Sequence, residues 1–252
     1  MVTLKTADEI SLMEYAGEVV AEVLNILKER TKPGMSTYDL EEITLEIMRK
    51  RNVKPAFKGY QGYPAALCVS INEEVVHGIP SKNRVINEGD LVSVDTGTIY
   101  KGFFGDGAIS YIVGKPEDPR KEELLKVTEK ARDIGISKAL VGNRIGDIGN
   151  AIQTYVESHN MSVIKDFVGH GIGRQLHESP QVPNFGEKDK GIELREGMTI
   201  AIEPMVSLGS YEVEIEENNW TVVTRDRSCA AHFEHTIAIN KDGPRILTHL
   251  PL

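Results

Sequence analysis

The 252-residue sequence predicts an α+β fold made of two similar halves, each a pair of helices followed by strands. Three observations carry this expectation. Amphipathic helical segments occur in two pairs, apolar β-prone runs follow each pair, and the chain matches itself when shifted by 108 residues.

In chain order, Thr6 with Glu9 has the pattern of a capping box, and Ile10, Met13, Val20, Leu24 and Leu27 recur at helical spacing, which predicts a helix over 7–30. Pro33-Gly34 ends it. A second helix is expected from Thr37 to Arg51, with Leu40, Ile43, Leu45, Ile47 and Met48 as its apolar face. Strands follow: one carrying Ala65, Leu67, Val69 and Ile71, one from Leu91 to Asp95, and one from Phe103 to Val113. After Pro119 the order restarts, with a helix from Lys121 to Leu140, a break at Gly142, a helix from Asp147 to His159, and strands around Ile200 to Val206 and Thr236 to Ile239. The shift lays PGMSTYDL (33–40) on VGNRIGDI (141–148) and EGDLVSVD (88–95) on EGMTIAIE (196–203). It thereby matches Gly34 to Gly142, Asp39 to Asp147 and Asp95 to Glu203. A different shift, of 100, lays HGIP (77–80) on HESP (177–180). No linker separates the halves, so a single catalytic domain over 1–252 is expected, with repeats of roughly 1–115 and 116–252.

Composition narrows the function. With 40% hydrophobic and 27% charged residues, and no apolar run near the roughly 18–20 residues that span a bilayer, a membrane protein is not expected. Asp8, Glu9 and Glu14 interrupt any signal-peptide pattern. Two cysteines form no disulfide framework and point to a reducing cytoplasm. Thirty-eight acids against 29 bases give a net charge of -9, which opposes binding to a phosphate backbone.

The chemistry is concentrated in VSVDTGTIYKGFFGDGAISYIVG (92–114), an apolar hairpin interrupted by Asp95 and Asp106. If the chain reverses near Tyr100-Lys101, the two carboxylates stand directly opposite, with Gly102 free to absorb a bulge. Charges about 5 Å apart then repel by about 3 kcal/mol at an effective dielectric near 20. A proton, an arginine or a divalent cation would compensate them. The second half favours a cation, because Glu203 ends TIAIEP and Glu234 opens a later strand, which sends four acids toward one axis. His170, in VGHGIGRQLHESP, is a candidate fifth ligand. One imidazole with four carboxylates suits Mn, Fe or Co better than structural zinc.

At these residues the sequence resembles the type I methionine aminopeptidases, in the ordered set His77, Asp95, Asp106, His170, His177, Glu203 and Glu234 and in the contexts SINEEVVHGIP, DTG, GHGIG and IEP. The resemblance implies the pita-bread fold, a curved and mostly antiparallel sheet covered by helices. It implies that Asp95 and Asp106 hold one metal, that Asp106 and Glu234 bridge to a second, and that His170 and Glu203 complete the site. Two divalent ions, from Co, Mn, Fe, Zn or Ni, are the expected cofactors. The implied activity is removal of the initiator methionine from nascent proteins and peptides with a small second residue, by a metal-bridged water or hydroxide. Catalytic roles are expected for His77 at the scissile amide nitrogen, His177 at the oxyanion and Glu203 as proton acceptor.

By the same resemblance the methionine pocket is walled by Tyr60, Tyr63, Cys68, Leu176 and Trp220. Leu176 stands where phenylalanine is frequent, and Phe57 replaces a small residue near the pocket mouth, so tolerance at the second substrate position is left open. The short N-terminus and the absence of a long insertion between His177 and Glu203 place the sequence with the bacterial-like cytoplasmic form. Nascent N-termini and a transient ribosome contact are the expected partners, with no nucleic-acid or membrane function and a monomeric state. The chain's own Met1-Val2 start has a small second residue and would itself be a substrate. A proline-directed peptidase on the same fold and a non-catalytic binding protein are the competing readings.

Overall fold

In the computed structural model, which describes residues 2–249, the four expected helices form. Met1, and with it the Met1-Val2 start, lies outside the described residues, as do 250–252. Helix α1 (Ala7–Arg30) begins at the reciprocal Thr6–Glu9 capping box and buries Met13, Val20, Leu24 and Leu27. Helix α2 (Thr37–Lys50) starts on a second capping box, Ser36 with Asp39. Its inward face holds not only Leu40, Ile47 and Met48 but also Glu41, whose carboxylate accepts the Ala66 N–H at 2.9 Å. Helices α3 (Arg120–Ser137) and α4 (Ile145–Ser158) repeat the pair.

The 108-residue shift reappears as matching geometry. Gly34 and Gly142 have φ of 91° and 90°, a left-handed conformation that glycine adopts without strain. Their N–H groups donate to Ile86 and Leu194, which are themselves 108 apart. Isolated bridges join Ser36 to Val85 and Arg144 to Glu193, again at equivalent places. Asp39 and Asp147 each accept the backbone N–H three residues back, at 2.7 Å.

Among the described residues the main sheet has nine strands, and every pairing in it is antiparallel. Its centre runs through Leu91–Tyr100, Phe103–Ile112, Glu234–Asn240 and Thr199–Ile202, so strands of the two halves meet where Phe103–Ile112 pairs with Glu234–Asn240. The first helix pair covers one apolar cluster (Val20, Leu24, Leu40, Leu67, Val92, Val94) and the second covers another (Leu124, Val127, Ile148, Ile152, Ile200, Ile237). Each fully buried aliphatic side chain contributes about 1.5–3 kcal/mol, so the helices are fixed to the sheet by many independent contacts. Backbones touch at Gly105, where a Cβ would lie 2.7 Å from the Gly17 nitrogen. This contact seats α1 directly behind Asp106.

Two expected strands differ in extent. Leu91–Asp95 continues to Tyr100, and the run around Ile200 to Val206 divides into Thr199–Ile202 and Met205–Ser207, which pair with different neighbours. Pro204, which lacks an N–H for the ladder, lies at the division. Among the described residues no helix is long and apolar enough to cross a membrane.

Candidate metal centre and active site

The hairpin that carries Asp95 and Asp106 closes through Lys101-Gly102, with φ of 48° and 85°. Two consecutive left-handed residues make a two-residue turn of the primed kind, whose twist matches that of the strands. Tyr100 therefore pairs with Phe103, Asp95 with Ala108 and Gly97 with Asp106. The expected direct opposition of the two acids is thus corrected by two residues, and Gly102 is a turn residue rather than a bulge. The carboxylates are diagonal neighbours on one face, roughly 7–8 Å apart at Cα. Their mutual repulsion is still unfavourable for an apolar sheet, and Asp106 raises the Asp95 carboxyl after burial itself.

Ala108 also pairs with Glu234 from the other side, which puts Asp95 and Glu234 in line across three strands with Asp106 two residues along. The regular ladder between Phe103–Ile112 and Glu234–Asn240 covers only Glu234 and His235. Beyond it the Thr236 hydroxyl accepts the Asp106 N–H (3.1 Å) and donates to the Asp106 carbonyl (2.8 Å). Glu203 leaves the end of Thr199–Ile202, and His170 is the middle residue of Gly169–Gly171.

Asp106, His170 and Glu234 can bring their ligand atoms within 4.8 Å of one another, and all three are buried. Nε2 of His170 is 3.5 Å from Glu203 Oε1 and 3.8 Å from Asp106 Oδ2. Burial and the nearby His177 push the His170 pKa down to about 3, so these contacts involve a neutral ring. Nδ1 of His170 lies 2.9 Å from the Gly171 carbonyl. A proton held there leaves the Nε2 lone pair facing the acids. Burial pushes the Asp106 carboxyl up to about 7 against the lowering effect of the Gly107 N–H. Asp95, Glu203 and Glu234 are driven well above the ordinary carboxylate range by burial and by neighbouring acids, Asp106 foremost.

The donor set fits divalent cations. Among the described residues Asp95 Oδ1, Asp106 Oδ1, Glu203 Oε1 and Glu234 Oε1 are buried without a hydrogen-bond partner. Each unpartnered oxygen costs about 1–3 kcal/mol, and hard oxygen donors with one imidazole are what such ions take.

Above the acids opens a cleft of about 190 Å³. Every residue singled out in the sequence lines it: the five candidate ligands, His77 and His177, and Tyr60, Tyr63, Cys68, Leu176 and Trp220, with Phe57 beside them. Nδ1 of His177 is 2.7 Å from the Tyr60 hydroxyl, and its ring stands edge-on to His170 at 4.2 Å between centroids. His77 has its ring between Phe167 (5.5 Å) and Trp220 (6.2 Å), and burial pushes its pKa down to about 4. Tyr63 packs edge-on to Trp220 at 5.1 Å.

The sequence reading missed His232. Its buried Nε2 has no hydrogen-bond partner among the described residues and lies 3.9 Å from Glu203 Oε2. Ser110 holds its backbone, accepting the His232 N–H at 2.9 Å and donating to its carbonyl at 2.8 Å. Its place two residues before Glu234, the alternation distance of a strand, was the available signal. Phe167, another unforeseen wall residue, had none.

The model of metallopeptidase family M24 matches residues 11–241. The methionine aminopeptidase of Clostridium acetobutylicum is 49% identical over 248 residues, covering 98% of this chain and 99% of that protein. The corresponding protein of Aquifex aeolicus is 50% identical over 259 residues, with 99% of each covered. The crystal structure of methionine aminopeptidase from Thermotoga maritima superposes with a TM-score of 0.97 at 51% identity, over 99% of this chain and 100% of that one. Prolidase from Pyrococcus furiosus shares the fold alone, with a TM-score of 0.78, 21% identity and only 66% of its length covered. Fold and relatives agree, and the chain belongs to the methionine aminopeptidases of metallopeptidase family M24.

Proposed function

We propose that this chain removes the initiator methionine from nascent proteins and peptides, favouring a small second residue. One observation carries the reading: an oxygen-rich set of five candidate ligands forms the floor of a cleft whose walls are aromatic, aliphatic and sulfur groups. Asp95, Asp106, His170, Glu203 and Glu234 would hold two divalent ions, drawn from Co, Mn, Fe, Zn or Ni, whose charge balances four carboxylates. When bound, the ions supply Lewis acidity that acidifies a water and polarises the first peptide carbonyl.

The chain's own groups do the rest. If Tyr60 donates its hydroxyl to Nδ1 of His177, the ring proton sits on Nε2, where it can donate to the oxyanion that develops on the carbonyl. Burial holds His177 below the ordinary histidine range, so a neutral donor fills this role near pH 7. His77, fixed by its two aromatic neighbours, contacts the nitrogen of the scissile amide. Glu203 accepts the proton of the attacking water. Tyr60, Tyr63, Cys68, Leu176 and Trp220 hold the methionine side chain, whose thioether gains about 0.3–1.5 kcal/mol from each aromatic contact. Phe57 lines the same cleft.

The protein works as one catalytic domain and as a monomer in the cytoplasm, where its free cysteines, buried Cys68 and half-buried Cys229, stay reduced. Its substrates are emerging N-termini, met through transient ribosome contact. The test is to strip the metal, restore Mn or Co, and compare a Met-Gly-headed peptide with an Ala-Pro-headed one. Restored cleavage of the first alone is expected. Cleavage of the second moves the chain to the proline-directed branch, and cleavage of neither overturns the peptidase reading.

A further inference from the structure

Phe167 belongs to the wall of the cleft and also to the wall of a second, open groove of about 500 Å³. That groove runs along residues 211–215, at the outer strand of a small sheet ordered Val213–Ile215, Val222–Thr224, Glu74–Val76. Register decides which backbone groups face outward. Arg225 donates its N–H to the Glu212 carbonyl and Glu216 donates to Thr221, at 2.9 and 2.8 Å, so the polar groups of Glu212, Glu214 and Glu216 point into the sheet. Alternation then turns the N–H and C=O of Val213 and Ile215 to the free side. Among the described residues no strand pairs with that edge.

The edge is also continuous with the cleft. Val222 pairs with both Val76 and Ile215, which sets the Ile215 end of the edge beside the end of the sheet that leads into His77. Val213 packs, with Phe167, on the cluster of Val75, Val76, Ile164 and Met205. Ile215 lies on the same face and is 62% exposed. Glu212, Glu214 and Glu216 project from the opposite face and pair with Arg225 or Arg227 at 3.8, 2.7 and 2.7 Å. The strand's own three acids are thus compensated, and Asp166 adds one further acid to the groove wall.

We propose that the Val213–Ile215 edge binds the substrate chain downstream of the residues held in the cleft, as an added strand hydrogen-bonded to Val213 and Ile215. This rests on the aminopeptidase reading and extends it: the favoured substrate is an unfolded, extended chain, recognised beyond its first residues by backbone rather than by side chains.

The experiment compares kcat/KM for a Met-Gly-headed tripeptide and a hexapeptide with uncharged downstream residues, using Mn-loaded enzyme. The hexapeptide is expected to exceed the tripeptide by about ten-fold, the order that two net backbone hydrogen bonds supply. In Ile215→Pro, which removes an outward N–H but no bond within the sheet, that ratio falls to near one, whereas Ile215→Thr retains most of it. A second measurement needs no variant: hexapeptides N-methylated singly at successive downstream residues should lose the gain at alternate positions. A tripeptide and hexapeptide cleaved equally well by the wild type would overturn the edge assignment and leave the aminopeptidase reading standing. Cleavage of neither overturns both. A wild-type dimer that Ile215→Pro makes monomeric, with the length ratio unchanged, would assign the edge to a second copy of the chain instead.

Discussion

Replacing Thr236 by Val should destabilise the protein far more than a change of one hydroxyl to a methyl suggests. Thr236 is fully buried, and its hydroxyl serves both backbone groups of Asp106 at the place where the ladder between the two halves stops. Valine keeps the shape but leaves a buried N–H and a buried C=O without partners. Each such group costs about 1–3 kcal/mol, so a loss of about 2–6 kcal/mol is expected. Urea unfolding in the presence of a chelator measures it without any contribution from bound metal. With m on the order of 3 kcal/mol per M, the midpoint should fall by about 1–2 M at unchanged m. Thr236→Ser, which keeps the hydroxyl, should recover most of the loss. A Thr236→Val midpoint within about 0.2 M of the wild type would refute the claim that this hydroxyl holds Asp106.

Three other outcomes follow from the same structure. Asp106→Asn should abolish turnover with an unchanged circular dichroism spectrum, and near-normal activity would sink the two-metal assignment. Asp147 accepts N–H groups from Asp189 and Arg144 at 2.9 and 2.7 Å, which holds its carboxyl below the ordinary value. Its stabilisation, about 1 kcal/mol for a cap of this kind, is present above roughly pH 4 and is lost as pH falls through the depressed value. The stability gap between wild type and Asp147→Asn should therefore shrink between pH 6 and pH 3, and a constant gap would count against the cap. Gly105→Ala places a Cβ 2.7 Å from the Gly17 nitrogen and 2.9 Å from the Ala16 carbonyl carbon, both backbone atoms with little room to move. Unfolding should show a loss of about 1–3 kcal/mol, and a neutral effect would mean that α1 can retreat from the strand.

What the sequence made legible depended on local chemistry. Helix α1 was bounded correctly because both of its ends are written in neighbouring residues, the Thr6–Glu9 box and Pro33-Gly34. The repeat was visible because Gly34 and Gly142 meet the same backbone demand and Asp39 and Asp147 cap equivalent helices. The hairpin's register was not legible, because Tyr100-Lys101 and Lys101-Gly102 are both tolerable turn centres and only the left-handed pair selects one. Glu41 escaped for a different reason: a charged residue on a helix reads as solvent-facing, and its partner, the Ala66 N–H, is 25 residues away in the chain. The division at Pro204 was carried by one residue, and the different partners of the two short strands become apparent only when the sheets assemble. All the proposed metal ligands nevertheless line one cleft, because acids placed on predicted apolar strands have few places to go.

The seam between the halves has a consequence for the birth of the molecule itself. Asp95 and Asp106 lie on strands of the first half, whereas His170, Glu203 and Glu234 belong to the second, so the proposed site is divided between them. During synthesis the first half can settle its own apolar cluster while the later ligands are still unmade. Glu234 follows Asp106 by 128 residues in the chain. A copy without the second half lacks three of the five proposed ligands, and docking of the halves brings four carboxyl groups together. A cation arriving at that moment would act as a rivet, turning the least favourable contact of assembly into the one that locks it.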